Sequence, residues 1–247
     1  MKEINAVWEK RNLGVSCTEL EFTRGDTVDC VPELSRAQTS EYLVAKVPVG
    51  MPELGYALQA EGFAYAETNF RLTKTLSALP ELPELYRRYA PRISYHPANP
   101  SGQMRILDKI AGGGIFTTDK VACDPFFSPA LSGRRYALWT KDLLEQGTGR
   151  AFLLCYREQE VGFCVNVRKD GFYDAFLGGL FPEAQDTGLG FAAIYANLHS
   201  IYLVGGRKVV TGVSSNNPSI LRLHMLYGFT IGEMTAIYIK HQKGSKA

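Results

Sequence analysis

No apolar run in this 247-residue chain is long enough to cross a membrane. The opening MKEINAVWEKRN is too polar to be a secretory leader. Histidine is scarce, and the four copies are scattered, so no spacing gathers ligands around a metal. The five cysteines are odd in number and include no C-x-x-C pair. That excludes a disulfide framework and a thiolate metal site, and it fits a reducing cytoplasm with buried thiols at Cys155 and Cys164. The net charge is only +2, so the chain lacks the basic excess of a nucleic-acid-binding protein. What is present is the composition of a globular protein, 45% hydrophobic and 21% charged. The length allows one large domain or two small ones.

The chemistry gathers between Leu180 and Phe229. The strand FYDAFLGGL runs into Pro182, and Gln185-Asp186-Thr187-Gly188-Leu189-Gly190 then opens the periodic run FAAIYANLHSIYLV, which reads as a helix. Thr187 is a candidate N-cap, with Asp186 adding acidic character before it. A helix start offers unpaired N–H groups and the positive end of the helix dipole, which suit a phosphate, and glycine lets a ligand approach the backbone. Gly188-Leu189-Gly190-Phe191-Ala192-Ala193 also fits G-x-G-x-x-A. A dinucleotide fold, however, wants an acidic residue about 20 positions on. That region is TGVSSNN, without an acid, and Pro182 interrupts the strand-to-glycine junction. A helix start with glycines placed for packing is the plainer alternative.

The surroundings of the glycines decide among these readings. Gln185, Gly188 and Gly190 match Q/R-x-x-G-x-G/A, and Asn217, Leu223, Gly228 and Phe229 match a second motif, N-x-x-A-x-x-L-Y-x-x-x-G-F. The pair of motifs resembles the cofactor region of the GNAT superfamily of acetyl-CoA-dependent N-acyltransferases. The resemblance implies an α/β (α+β) fold with a mixed central sheet flanked by helices. It implies that the backbone from Gln185 to Gly190 holds the CoA pyrophosphate, that the strand end at Leu180 and Phe181 pairs with the pantetheine arm, and that Asn217 lies near that arm. The family's usual tyrosine, the acid toward the CoA thiolate, is here His224; a histidine can serve, with a pKa of about 6.5. Tyr227, one turn on, is the alternative donor. Asp174 is the candidate base or amine-orienting group, with Glu183 and a water chain as others; a buried, hydrogen-bonded strand carboxylate is the other reading of Asp174.

The chain also echoes itself. A displacement of 166 residues lays LVAKVPVGMPELGYALQAEGFAYAE on VVTGVSSNNPSILRLHMLYGFTIGE, so that Val44, Pro52, Gly62 and Phe63 meet Val210, Pro218, Gly228 and Phe229. Met51 stands opposite Asn217 and Leu58 opposite His224, and no glycine turn precedes the first copy. We therefore expect residues 1–90 to be a degenerate GNAT-like half, 91–104 a proline-bearing linker, and 105–247 the acetyltransferase domain. RILDKIAGGGIF reads as a short helix stopped at Gly112–Gly114; a phosphate loop there would need a preceding strand and a following Lys-Ser/Thr. LSGRRYALWTKDLLEQGTG reads as a helix capped by Ser132 and ended by Gly147.

Three further features are similar to the TDP-fucosamine acetyltransferase group: the truncated first half ending in Leu58-x-Ala60-x-Gly62-Phe63, the run Gly133-Arg134-x-Tyr136-Ala137-x-Trp139, and Trp8 with Gly14 near the start. That similarity implies a TDP-linked amino sugar as acceptor. Arg134 and Tyr136 would then contact the nucleotide, while a core role for the aromatics and a solvated Arg134 is the alternative. The expected partners are a small-molecule amine and acetyl-CoA, with no nucleic acid and no membrane; a homodimer is compatible. A different small amine, amino acid or peptide terminus as acceptor, and a CoA-binding module without catalysis, are the competing functions.

Overall fold

A computed structural model describes residues 1–242. In chain order the elements are β1 (Lys2–Asn5), α1 (Val7–Leu13), β2 (Cys17–Glu21), α2 (Cys30–Ala37), β3 (Tyr42–Pro48), α3 (Pro52–Ala60), β4 (Ala64–Thr75), β5 (Ile93–Pro97), α4 (Pro100–Ala111), α5 (Pro129–Glu145), β6 (Gly149–Tyr156), β7 (Gln159–Lys169), β8 (Phe172–Leu180), α6 (Gly190–Leu203), β9 (Lys208–Ser214), α7 (Pro218–Leu226) and β10 (Thr230–His241). The ten strands form one mixed sheet in the order β1-β2-β3-β10-β4-β9-β8-β7-β6-β5, with helices on both faces. Only β2/β3 and β8/β9 are parallel pairs.

Local chemistry sets several boundaries. Asn99 and Asn217 cap α4 and α7, each accepting from the backbone N–H three residues on, and a proline occupies the first turn of both helices. Helix α5 begins at Pro129, ahead of the expected cap Ser132, whose hydroxyl instead donates to Asp119. It stops before Gly147, which takes a left-handed φ of 68°. The stretch 91–104, expected as a linker, carries regular structure. Strand β5 pairs there with β6, and α4 begins at Pro100. The prolines are tolerated because Pro97 ends a strand on the sheet edge and Pro100 sits at a helix start. No helix among the described residues is long and apolar enough to cross a membrane.

The echo is a structural repeat. Displaced by 166 residues, β3, α3 and β4 start and end on the first and last residues of β9, α7 and β10. The halves exchange their last strands: β10 lies against β3, and β4 against β9. All seven rungs of β3/β10, from Thr235↔Pro48 to His241↔Tyr42, map under the same displacement onto the seven of β4/β9, from Asn69↔Ser214 to Thr75↔Lys208. The central pair Asn69↔Thr235 maps onto itself, so a pseudo-two-fold axis passes through it.

Apolar packing seals both faces. Phe191, Ile194, Leu198 and Ile201 of α6 pack on Leu72, Val209 and Val213. On the other face Ile106 and Ile110 of α4 and Ala137 of α5 meet Phe163, Val165 and Leu177.

Candidate active site

Strands β8 and β9 pair at only two rungs, Tyr173↔Val209 and Asp174↔Val210, and then part. The parting begins where β8 carries one residue more than its other neighbour: its pairing with β7 slips between Val167↔Asp174 and Val165↔Leu177. An extra residue bends a strand and sharpens its twist. Side chains take over carbonyls near the split. Thr211 Oγ1 donates to the Ala175 carbonyl at 3.0 Å, and Asn197 Nδ2 donates to that of Leu177 at 3.2 Å. In the first half, β2 and β3 remain paired through Leu20↔Ala45 and Glu21↔Lys46, the counterparts of Thr211 and Gly212. Leu58, opposite His224 in the repeat, is 1% exposed in a closed apolar core there. Only the second half opens.

The opening is a cavity of about 400 Å³. Ala193, Ile194 and Asn197 of α6 line it from one face of the sheet; Phe116, Asp119 and Tyr136 line it from the other. Alternation along β8 from Phe181, whose N–H donates to the Val161 carbonyl, turns the main-chain groups of Gly178 and Leu180 toward the split.

At the start of α6, Gly188 is left-handed with φ 73°, and Leu189 occupies the cap position without a capping side chain. Thr187 is therefore not the cap: its hydroxyl donates to the Ala184 carbonyl at 2.6 Å, closing the preceding 3-10 turn, Pro182–Thr187. The first N–H groups of α6 thus lack a side-chain partner. Gln185 donates from Nε2 to the Gly114 carbonyl at 2.7 Å, tying this turn to the glycine run after α4. Leu180, Gln185, Gly190, Asn217, His224 and Tyr136 all line the one cavity. Asp186 is exposed beside the turn, while Leu189 and Phe181 are buried in the core and hold its ends.

His224 projects into the cavity from α7, its ring edge-on to Phe229 at 4.9 Å. Nδ1 lies 2.8 Å from the Ile220 carbonyl, which can only accept, so Nδ1 carries the proton. Burial lowers the ring's pKa below its usual 6.5, against the opposing pull of that carbonyl. At neutral pH Nε2 is therefore a bare acceptor, and His224 is a proton donor there only after it has taken up a proton. The linkage has a definite sign. Below about pH 6.5 the unfolded chain binds a proton that the folded ring resists, so this residue costs stability as pH falls, until the folded ring also protonates; above that pH it contributes nothing. As pH falls below about 6.5, the thermal midpoint of His224→Gln should therefore rise relative to that of the native protein, a difference isolated from Asp174, whose raised carboxyl acts with the opposite sign in both proteins. Parallel profiles for the two proteins would contradict this.

Besides Phe181 and Asp186–Leu189 of the turn, the expected residues Tyr227, Asp174, Arg134 and Glu183 lie outside the cavity lining. Tyr227 is 5% exposed, donates its hydroxyl to the Phe191 carbonyl at 2.9 Å and is held well above the usual tyrosine pKa by burial; it pins α7 to α6 and is not a donor to the site. Asp174 sits in a separate hollow of about 270 Å³ with Asn69, Arg71 and Glu233, which meets the cavity at Thr211 and Gly212. Burial raises its carboxyl to about 6, with Lys169 and Arg71 opposing. Arg134 is exposed away from the cavity. Its neighbour Arg135 is buried against Glu9 and stacks on Trp139 at 3.8 Å, so neither arginine is free to grip a diphosphate in the cavity. Glu183 pairs with Lys109 at 2.6 Å on the surface.

No family model matches the sequence, and no curated protein matches it. Solved structures do match the backbone. A GCN5-related N-acetyltransferase from Sphaerobacter thermophilus aligns with a TM-score of 0.59 at 15% identity, over 83% of this chain and 62% of that one. A GCN5-related N-acetyltransferase from Kribbella flavida gives 0.54 at 14%, over 93% and 82%. A tandem GNAT protein from the clavulanic acid biosynthesis pathway gives 0.54 at 12%, over 94% and 78%. The fold is the GNAT fold.

Within this GNAT fold, sequence reasoning missed Thr211, Asn197, Asp119 and Ser214. Asn197 carried a signal, since it is a lone amide among the apolar residues of α6; its Oδ1 is buried without a hydrogen bond and its side chain lines the cavity. The glycine run Gly112–Gly114 stops α4 as expected, and Gly114 also lines the cavity.

Proposed function

We propose that the chain is an N-acyltransferase that uses acetyl-CoA. The observation that supports this best is the uncapped start of α6, with left-handed Gly188, opening onto the split between β8 and β9. The residues present fit the cofactor: free N–H groups at the helix start for the pyrophosphate, and the β8 edge at Gly178 and Leu180 with the orphaned Asn197 Oδ1 for the amide-bearing arm. The cofactor supplies an activated acyl thioester when bound. Asn217 holds the start of α7, and thereby His224, by its cap to Ile220. His224 Nε2 is set to take a proton from the attacking amine and to pass it to the departing thiolate. Positioning across the split supplies the rest. We read residues 1–90 as a GNAT-like half without a cofactor site of its own, because its counterpart strands stay zipped.

The acceptor is a primary amine. A TDP-amino sugar has only the three short sequence features behind it, and with Arg134 exposed and Arg135 paired its diphosphate would find no arginine in the cavity. An amino acid or small amine is favoured by the hollow beside the split, where Arg71 faces Asp174 and Glu233 and so offers partners for both a carboxylate and an ammonium. Acetyl-CoA at about 100 times its dissociation constant should stabilise the fold by about 2.7 kcal/mol; an unmoved melting curve at millimolar acetyl-CoA would sink the proposal. Free-thiol release with TDP-amino sugars, amino acids and simple amines then identifies the acceptor. Binding with no thiol release from any of them would point to a non-catalytic module.

A further inference from the structure

Four segments bring their cations to one end of the sheet. Arg150 begins β6, Arg168 and Lys169 end β7, Arg207 follows α6 and Lys208 begins β9. Together they line a bowl of about 990 Å³, and the one acid in its wall is Asp170. None of the five forms an ion pair among the described residues. Two are partly committed: Arg207 donates from Nη1 to the Tyr202 and Gly206 carbonyls and lies over the Tyr202 ring, and the Arg150 guanidinium lies 5.2 Å from the centre of the Phe152 ring. Five cations against one acid leave the bowl four charges positive, whereas the whole chain totals +2, so the remainder of the molecule is net negative by two. The positive charge is concentrated here, not spread over the surface. Like charges in a concavity repel one another and focus their field on whatever enters it.

The bowl is remote from the split. It abuts the C-terminal end of α6, while the candidate cofactor turn lies at the N-terminus of that 14-residue helix, about 20 Å away. A single small anion would use two or three of these side chains and leave the others repelling. A nucleic acid tracks a groove of cations along its backbone, whereas these five line one bowl.

We propose that this bowl binds a chain of linked phosphates, either as inorganic polyphosphate or as the triphosphate of a nucleotide. Calorimetric titration of the full chain with inorganic tripolyphosphate and, separately, with ATP tests it. Saturable binding is expected, at least about tenfold weaker in the double variant Arg168→Glu/Lys208→Glu and similarly weakened as the screening length shrinks from about 30 Å at 0.01 M salt to about 3 Å at 1 M. Saturating CoA should leave the titration unchanged. Arg150→Glu, on the exposed start of an outer strand, serves as a second variant if the double variant melts early. Equal binding of both probes assigns the phosphate chain itself as ligand, and binding of ATP alone assigns the nucleotide. No saturable binding of either probe, displacement by CoA, or indifference to the charge reversals overturns the proposal.

Discussion

Arg135→Ala should lower the thermal midpoint by roughly 10 °C, because breaking a buried ion pair from one side costs about 3–5 kcal/mol and each kcal/mol is worth about 2–4 °C at this size. Arg135 is 3% exposed. Its Nε and Nη2 donate to Glu9 Oε1 at 2.8 and 2.6 Å, and Nη1 reaches Asp119 Oδ2 at 3.5 Å. Its face lies on Trp139. Removal would strand the Glu9 carboxylate, itself 2% exposed, with only Asn12 Nδ2 at 3.3 Å to satisfy it. The pair also joins α1 of the first half to α5 of the second, so its loss loosens the two against each other. Lysine should not rescue, since an ammonium cannot reproduce the two-pronged contact. The double variant Arg135→Met/Glu9→Leu should recover most of the loss, since apolar replacement of a whole buried pair is often neutral. A single variant melting within about 3 °C of the native protein would show that the pair carries little of the stability.

Much of the local structure was legible because it is written in contiguous residues. Asn217-Pro218 and Gly228 mark α7 and its end, Gly147 marks the end of α5, and the repeat could be laid out residue by residue before any strand was paired. The exchange of β4 and β10 was not legible. Alternating apolar residues determine which face of a strand is buried, but not which of two equivalent strands it lies beside. The β8 slip near Ala175 and Phe176 carries no glycine or proline to announce it, and the split, and so the cavity, depends on it. Thr187 misled because left-handed Gly188 delays the helix start to Leu189, so that the threonine hydroxyl closes the preceding 3-10 turn. Tyr227 misled because its spacing is helical while its hydroxyl is turned to the α6 backbone. The partner of Arg135 lies 126 residues away, beyond the reach of any pattern along the chain.

Ala193→Phe should abolish stabilisation by acetyl-CoA and reduce acyl transfer at least about 100-fold while leaving the protein folded, because a ring in the split removes the binding outright and not one contact of it. Ala193 is 4% exposed on the face of α6 that lines the cavity. A Cβ built on Gly178 would lie 3.4 Å from the Ala193 methyl, so helix and strand are about one methyl apart there. A phenyl ring has no room toward β8 and must turn into the 400 Å³ cavity. Overpacking costs about 1–3 kcal/mol, partly offset by the ring's own burial. The fold is checked without the cofactor by the melting curve and by tripolyphosphate titration at the far end of α6, which this substitution does not touch. His224→Gln makes the complementary measurement. It leaves the cavity open, so it should retain acetyl-CoA stabilisation while turnover falls. If Ala193→Phe kept full acetyl-CoA stabilisation, the split between β8 and β9 would not be where the thioester lies, and the role given to His224 would fall with it.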